Sequence, residues 1–425
     1  MITGSRRLLA AMAICLGVGS ACTTGEPTPS SFPQADSLVA AWVAAERVPG
    51  AVLRIEREGR LLFEQAYGWA RLYDFGTGQY EDAAGISRRA DPVPMSAGTV
   101  FDLASVTKVM ATTLAMMVLV DRGDVDLDAP VVRYLPDFTG EGRDEITTRH
   151  LLTHTSGLPQ WVPTYYHASN AEEAYRYILT LPLEWPVGEG RHYSDLGFML
   201  LGRLVEQVTG EPLHVFLAQE VYGPLGLDST GFRSGTGGGT DADAAAPASG
   251  IAATSHGNPY ERRMVHDPAF GYEIAGDPER WSEWRQRTLE GEVNDGNAHH
   301  AFRGVAGHAG LFSTAADLSV LLALLLDEGE HEGTRHLSAE TVRLFLTPAG
   351  AGQALGWLLP SYAPSGSFGH TGFTGTFVLG VPSQRLSIVL LTNRQNVGVD
   401  AETRYPDIAP LQRGVAQAVS ASLTN

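Results

Sequence analysis

The chain has 425 residues, 44% of them hydrophobic and 18% charged, the values of an ordinary globular protein long enough for a large core; they exclude a disordered, fibrous or acidic-tailed chain. Its net charge of -18 argues against a nucleic-acid partner, because neutralising phosphates takes clustered Lys and Arg. The acidity serves solubility instead.

Residues 1–22 read as a targeting segment: Arg6 and Arg7 give a positive start, Leu8 to Val18 a short apolar run, and Gly19, Ser20 and Ala21 small residues suited to cleavage. The apolar run is too short to span a bilayer comfortably. Both cysteines of the chain, Cys15 and Cys22, fall in this segment, so the mature body keeps no thiol for disulfides, zinc or nucleophilic catalysis. Cys22 is followed by a polar, Pro-rich stretch to residue 34 that reads as a tether. The arrangement resembles the lipidated cysteine of bacterial lipoproteins, although Gly19 stands where such signals usually carry leucine. The other reading is a plain cleaved signal with an incidental Cys22. Either way the protein is expected outside the cytoplasm, in the periplasm or anchored to a membrane by lipid.

Residues 35–425 read as one domain. Asp36 to Glu46 has helical spacing and stops at Pro49-Gly50; two alternating strands, Ala51 to Glu56 and Arg60 to Gly68, then form a hairpin around Glu58-Gly59. Phe101 to Gly123 reads as a long helix entered at Ser105 and apolar on most of its circumference, hence buried. Helical spacing recurs at Ala171 to Leu181, Leu196 to Thr209, Pro212 to Val221 and Ala315 to Leu326. Between them, Arg233 to Gly250 is rich in Gly, Ala and Asp without periodicity and opens a mobile insertion of about 233–302. Strands return at Gly375 to Gly380 and Arg385 to Asn393, and a helix from Ile408 to Leu423 closes the chain. Strands at both ends with a helical middle predict an α/β (α+β) fold: an antiparallel sheet built from both termini, flanking helices, and an inserted, mainly helical region with a cleft between the two.

Lys108 is the sole lysine among 30 basic residues. Arg supplies every other positive side chain, and the chemical difference is that lysine can release its proton. Ser105 stands three residues earlier; with 26 serines in the chain, chance puts one there rarely. Residues three apart on a helix share a face at about 5–6 Å between Cβ atoms, so the amine can take the hydroxyl proton. The helix start adds free N–H groups and a positive dipole end that favour an alkoxide at Ser105. An idle amine is also poorly placed on an apolar helix.

With Ser105-Val106-Thr107-Lys108 in view, the chain resembles the serine β-lactamase and penicillin-binding protein superfamily, nearest the class C β-lactamase-like branch that includes carboxylesterases and D-alanyl-D-alanine peptidases. Tyr193-Ser194-Asp195 falls at that family's Tyr-x-Asn, and His370-Thr371-Gly372 at its Lys-Thr-Gly; Leu151 to Leu158 and Gly304 to Ser313 are similar to further segments of the branch. The resemblance implies a β-lactamase/transpeptidase-like fold, with Ser105 as nucleophile, Lys108 as general base and Tyr193 as proton relay. It implies an oxyanion hole from the backbone N–H groups of Ser105 and Phe373, and a substrate edge of Asp195, His370, Thr371, Gly372 and Phe373. Two departures stand out. Asp195 in place of Asn would hold Lys108 as an ammonium, so the proton is shared among Lys108, Tyr193 and Asp195 or Tyr193 takes more of the base role. His370 in place of Lys makes positive charge at that edge pH dependent, with carboxylate-bearing substrates expected to weaken as pH rises through about 6.5.

The expectation is therefore an exported serine hydrolase acting through an acyl-enzyme, without metal or organic cofactor, on a small-molecule or peptidoglycan-derived substrate. An esterase, a D-Ala-D-Ala carboxypeptidase and a weak β-lactamase fit the same residues. A non-catalytic protein that binds cell-wall fragments is the rival from another class. His299, His300, His308 and Asp295 could suggest a metal, but adjacent histidines in a loop read as solvated. Trp281 to Trp284 reads as packing or a cleft wall.

Overall fold

The computed structural model describes residues 32–75, 85–233, 250–272, 274 and 276–423. Cys22, the leader and nearly all of the tether lie outside the described residues, as does the Gly-rich stretch 234–249.

The body begins with helix Pro33–Ala44, whose first position is the proline that best tolerates a missing N–H. Phe32 is already buried, so the fold starts slightly inside the stretch that composition reads as tether. Strands β1 (Gly50–Arg57) and β2 (Arg60–Phe75) form the expected hairpin, with β2 running longer than its alternation suggests. Strand β3 (Ile86–Pro94) pairs with β2 and was not foreseen: Pro92, Pro94 and its charges suit an edge strand. Three short strands follow, β4 (Phe101–Asp102), β5 (Gly231–Phe232) and β6 (Leu311–Ser313), in a separate sheet of order β4-β6-β5. After the small hairpin β7 (Glu330–His331) and β8 (Thr334–Arg335), the chain returns as β9 (Phe368–Thr371), β10 (Phe377–Val381) and β11 (Leu386–Thr392).

The main sheet has the order β3-β2-β1-β11-β10-β9 and is antiparallel throughout. The two ends of the chain meet in its middle, where Leu53 pairs with Leu390. Both faces are buried, which explains why β11 reads as the nearly continuous apolar run LSIVLLT. Leu53, Ile55, Leu379, Ile388 and Leu390 face a core closed by the terminal helices Pro33–Ala44 and Ala409–Ser422. Val52, Val378, Val389 and Leu391 face the larger core shared with the inserted helices. Each fully buried aliphatic side chain contributes about 1.5–3 kcal/mol, so the seam between the termini is among the best-anchored parts of the fold.

The expected helix from Phe101 to Gly123 divides into pieces. Strand β4 leads to a tight 3-10 turn at Ala104–Val106, a wide π-helical stretch at Lys108–Thr113 and an α-helix at Leu114–Asp121. Ala104–Asp121 is apolar and long enough to cross a membrane by composition alone, but it is largely buried inside the protein and is a core helix. Around it pack helices Ala339–Leu346 and Asp195–Thr209. The latter starts at Ser194, whose hydroxyl accepts the Gly197 N–H at 3.2 Å, and stops at Gly210 in the left-handed region.

The region expected as a mobile insertion is in part tied down. Arg285 donates to Asn258, Val293 and Asn294, Asn297 holds Thr164 and Val162, and helix Pro259–His266 packs beside them.

Candidate active site around Ser105 and Lys108

The loop bearing Ser105 is held in a strained shape by a buried carboxylate. Ala104 has φ +45° although it is not a glycine, a conformation that costs energy and persists where surroundings enforce it. Asp102 enforces it by accepting the Ala104 N–H at 2.8 Å and the Asn294 N–H at 2.6 Å. Burial pushes the Asp102 carboxyl up to about 6, opposed by these two N–H groups. The other side of the loop is pinned by the segment after β9: Thr374 donates to the Asp102 carbonyl at 2.7 Å and Thr376 to that of Leu103 at 2.9 Å. Gly372 is required there, since a Cβ would collide with Thr376 Oγ1 and the Leu103 carbonyl.

Lys108 is fully buried and saturated with partners. Its Nζ lies 3.1 Å from Ser105 Oγ, 3.1 Å from the His308 carbonyl and 2.7 Å from Asp195 Oδ1. The π-helical stretch beginning at Lys108 turns this residue toward Ser105, a use of irregular helix common at functional positions. Thr112 binds the Gly307 carbonyl at 2.6 Å, pressing the Gly304–Ser313 strap against the helix. Gly307 has no room for a side chain because the Phe198 carbonyl abuts it. Burial alone would lower the lysine pKa, but the Asp195 carboxylate, followed by Tyr193, outweighs it and raises the amine above its usual range. Lys108 is an ammonium at neutral pH and cannot by itself accept a proton, as the departure at Asp195 led one to expect.

Tyr193 lies within hydrogen-bonding reach of both Ser105 and Lys108, with Lys108 Nζ 4.9 Å from its ring centroid. Burial raises the phenol, with Lys108 pulling the other way, so it stays protonated. The ring packs on His154 at 4.5 Å and faces His370 at 6.2 Å. His154 has φ +58°, and its Nδ1 accepts the Ser194 N–H at 3.0 Å. Burial, Lys108 and Arg191 hold its imidazole well below the usual range. Thus His154 sets the backbone that carries both Tyr193 and Asp195.

Residues His370 and Thr371 lie on edge strand β9, paired with Val378 and Phe377. The following turn brings Gly372 against the Ser105 loop, and Arg394 Nη2 holds the Phe373 carbonyl at 2.7 Å. The Phe373 ring is partly exposed and packs on Tyr260 and Tyr405. The expected pH-dependent charge at His370 is corrected. The imidazole is buried, and burial followed by Lys108 and Arg191 lowers it to about 3, so it is neutral at ordinary pH. Its Nδ1 donates to the Thr371 carbonyl at 2.8 Å, leaving Nε2 as an acceptor.

The remaining histidines separate. His308 binds Asp295 at 2.9 Å behind Lys108, and ligand atoms of Asp195, Asp295 and His308 lie within 4.8 Å of one another. The charge between these groups is met by the Lys108 ammonium, which binds Asp195 and whose field also lowers Asp295. His299 and His300 are not solvated loop histidines: burial lowers them to about 2 and about 3. His300 packs on Tyr165 and Trp281, and Trp281 and Trp284 both pack on Tyr165, a wall of the fold. Sequence reasoning missed Asp102, Asp295, His154 and Arg191 as members of the site. The segments Leu151 to Leu158 and Gly304 to Ser313 were the available signals for His154 and His308.

A serine beside a buried lysine, with a tyrosine and an edge strand closing over them, sits where the two-sided sheet meets the inserted helices, and this arrangement defines a class of serine hydrolases. A family model described as Beta-lactamase matches residues 35–413, and the chain belongs to this β-lactamase-fold family. It is 31% identical over 389 residues to an N-acetylmuramyl-L-alanine amidase of Bacillus subtilis (strain 168), covering 85% of this chain and 80% of that protein. It is 31% identical over 386 residues to a putative D-alanyl-D-alanine carboxypeptidase of Escherichia coli (strain K12), covering 85% and 82%. Among solved structures it resembles EstCE1, a hydrolase with promiscuous acyltransferase activity, with a TM-score of 0.62, 25% identity and coverage of 91% and 97%.

Proposed function

We propose that the protein is an exported serine hydrolase that forms an acyl-enzyme on Ser105 and acts on esters or amides related to the cell wall. The observation that carries this reading is the Ser105 Oγ contact with Lys108 Nζ at 3.1 Å, backed by Asp195 at 2.7 Å from the same nitrogen. In acylation the Ser105 O–H bond breaks, its proton passes to Lys108, and Lys108 hands one of its own to Asp195, so the ammonium is kept while the oxygen attacks the carbonyl. The N–H groups of Ser105 and Phe373 stabilise the oxyanion. On collapse the proton returns from Asp195 through Lys108 and Tyr193 to the leaving oxygen or nitrogen. Water then repeats the sequence to free Ser105.

The named amidase, carboxypeptidase and hydrolase relatives support acyl transfer as the reaction class. Incubation with a neutral ester, a D-alanyl-D-alanine peptide and a muramyl peptide should give turnover of at least one. A stable adduct with every donor and no turnover would instead make the protein a sensor of cell-wall fragments. The leader supports export and lipidation at Cys22: labelled palmitate should enter the wild type and not Cys22→Ser. A soluble wild-type protein starting at or beyond Thr23 would favour simple secretion.

A further inference from the structure

The site holds a cation that the proton relay does not use. Arg191 stands two residues before Tyr193, on the loop that leads into helix Asp195–Thr209. Its guanidinium carbon lies 5.7 Å from the Tyr193 ring centroid, and its Nε donates to Gln353 Oε1 at 2.8 Å. Gln353 is buried, so this bond fixes the direction of the guanidinium fork.

The charge on that fork is uncompensated. Arg54, by contrast, has Glu56 and Glu64, and Arg71 has Glu290. Among the described residues no carboxylate pairs with Arg191; burial lowers its pKa and the Tyr193 phenol is the one group that opposes this. Burial makes such an unpaired cation costly to keep, and a bidentate fork is the geometry that recognises a carboxylate. Two further buried polar atoms nearby have no protein partner, Gln353 Nε2 and His370 Nε2. The first is a donor and the second an acceptor. Buried polar groups of this kind are normally satisfied, and together they suit a carboxylate with an N–H or O–H beside it.

Resting on the acyl-transfer reading, we propose that Arg191, positioned by Gln353, binds a free carboxylate of the substrate, so that the preferred acyl donors are peptide-like amides or esters carrying one. It takes the part that a lysine at His370 would otherwise have played.

The experiment compares kcat/KM for two matched substrates, an N-acyl dipeptide ending in a free carboxylate and the same compound as its C-terminal carboxamide. The wild type should favour the carboxylate at least tenfold. In Arg191→Gln that ratio should fall at least tenfold, through KM more than kcat, and Arg191→Lys should keep part of the preference because charge without the fork remains. An unchanged ratio in Arg191→Gln, or a wild type that favours the carboxamide, would overturn the assignment while leaving the acyl-transfer reading standing. Failure of the wild type to turn over either compound or any neutral ester would instead remove that reading. Should Arg191→Gln not fold by thermal melting, inhibition of the wild type decides: N-acetyl-D-alanine should inhibit at least tenfold more strongly than its amide, and equal inhibition refutes the proposal.

Discussion

Replacing Asp195 by Asn isolates the group that makes this relay differ from the familiar family pattern. Lys108 is fully buried and Asp195 Oδ1 is 2.7 Å from its Nζ. Two unit charges about 4 Å apart attract by about 4 kcal/mol at an effective dielectric near 20, equivalent to about 3 pKa units. Removing the carboxylate should therefore take back most of the rise in Lys108, since burial is then opposed mainly by Tyr193. The variant loses the relay's terminal acceptor but gains a lysine that can act as base itself. In the wild type kcat/KM should stay flat through neutrality, because Lys108 keeps its charge there. In Asp195→Asn the profile should instead rise on the alkaline side, following deprotonation of Lys108. The assay is kcat/KM for a neutral chromogenic ester between pH 4 and 10, corrected for spontaneous hydrolysis. Superimposable profiles would refute a proton held between Lys108 and Asp195.

Three other outcomes follow from the same contacts. Lys108→Arg keeps the charge beside Asp195 but cannot pass a proton, so kcat should fall about a thousandfold; retained turnover would remove lysine from the relay. Gly372→Ala places a Cβ inside the Thr376 hydroxyl and Leu103 carbonyl, so it should lower both Tm and activity, and a variant with wild-type Tm would contradict the close approach of β9 to the Ser105 loop. Burial and the Asp295 carboxylate raise Glu261 to about 8. The folded state thus keeps a proton that the unfolded state releases, and stability should be full below about 4.5 and fall by up to about 1.4 kcal/mol per pH unit toward 8. Glu261→Gln should flatten that slope in urea titrations at pH 5, 6.5 and 8, and equal slopes would disprove the buried proton.

Much of the frame was legible because it obeys periodicity. The helix Ala315–Leu326 has the bounds its spacing predicts, and β11 differs by little from Arg385 to Asn393. The Ser105 and Lys108 pair stood out because lysine occurs once in the chain. What stayed hidden depends on distant contacts. Asp102 meets Asn294, and His308 meets Lys108, across about two hundred residues, and no local pattern announces either. The tight 3-10 turn and π-helical stretch at Ala104–Thr113 are likewise set by Asp102 and Gly307 rather than by propensity. The charge at His370 was misjudged because an unperturbed imidazole was assumed, whereas burial and two cations keep it neutral. Once His370 is neutral, Arg191 is left as the cation of that edge.

The central claim is a covalent ester on Ser105, and intact-protein mass spectrometry after brief exposure to an acyl donor or a serine-directed phosphonate tests it most directly. One adduct per chain should form, and after digestion it should map to the peptide containing Ser105 and vanish in Ser105→Ala. An adduct that persists in Ser105→Ala, or one that maps to another residue, would contradict the account.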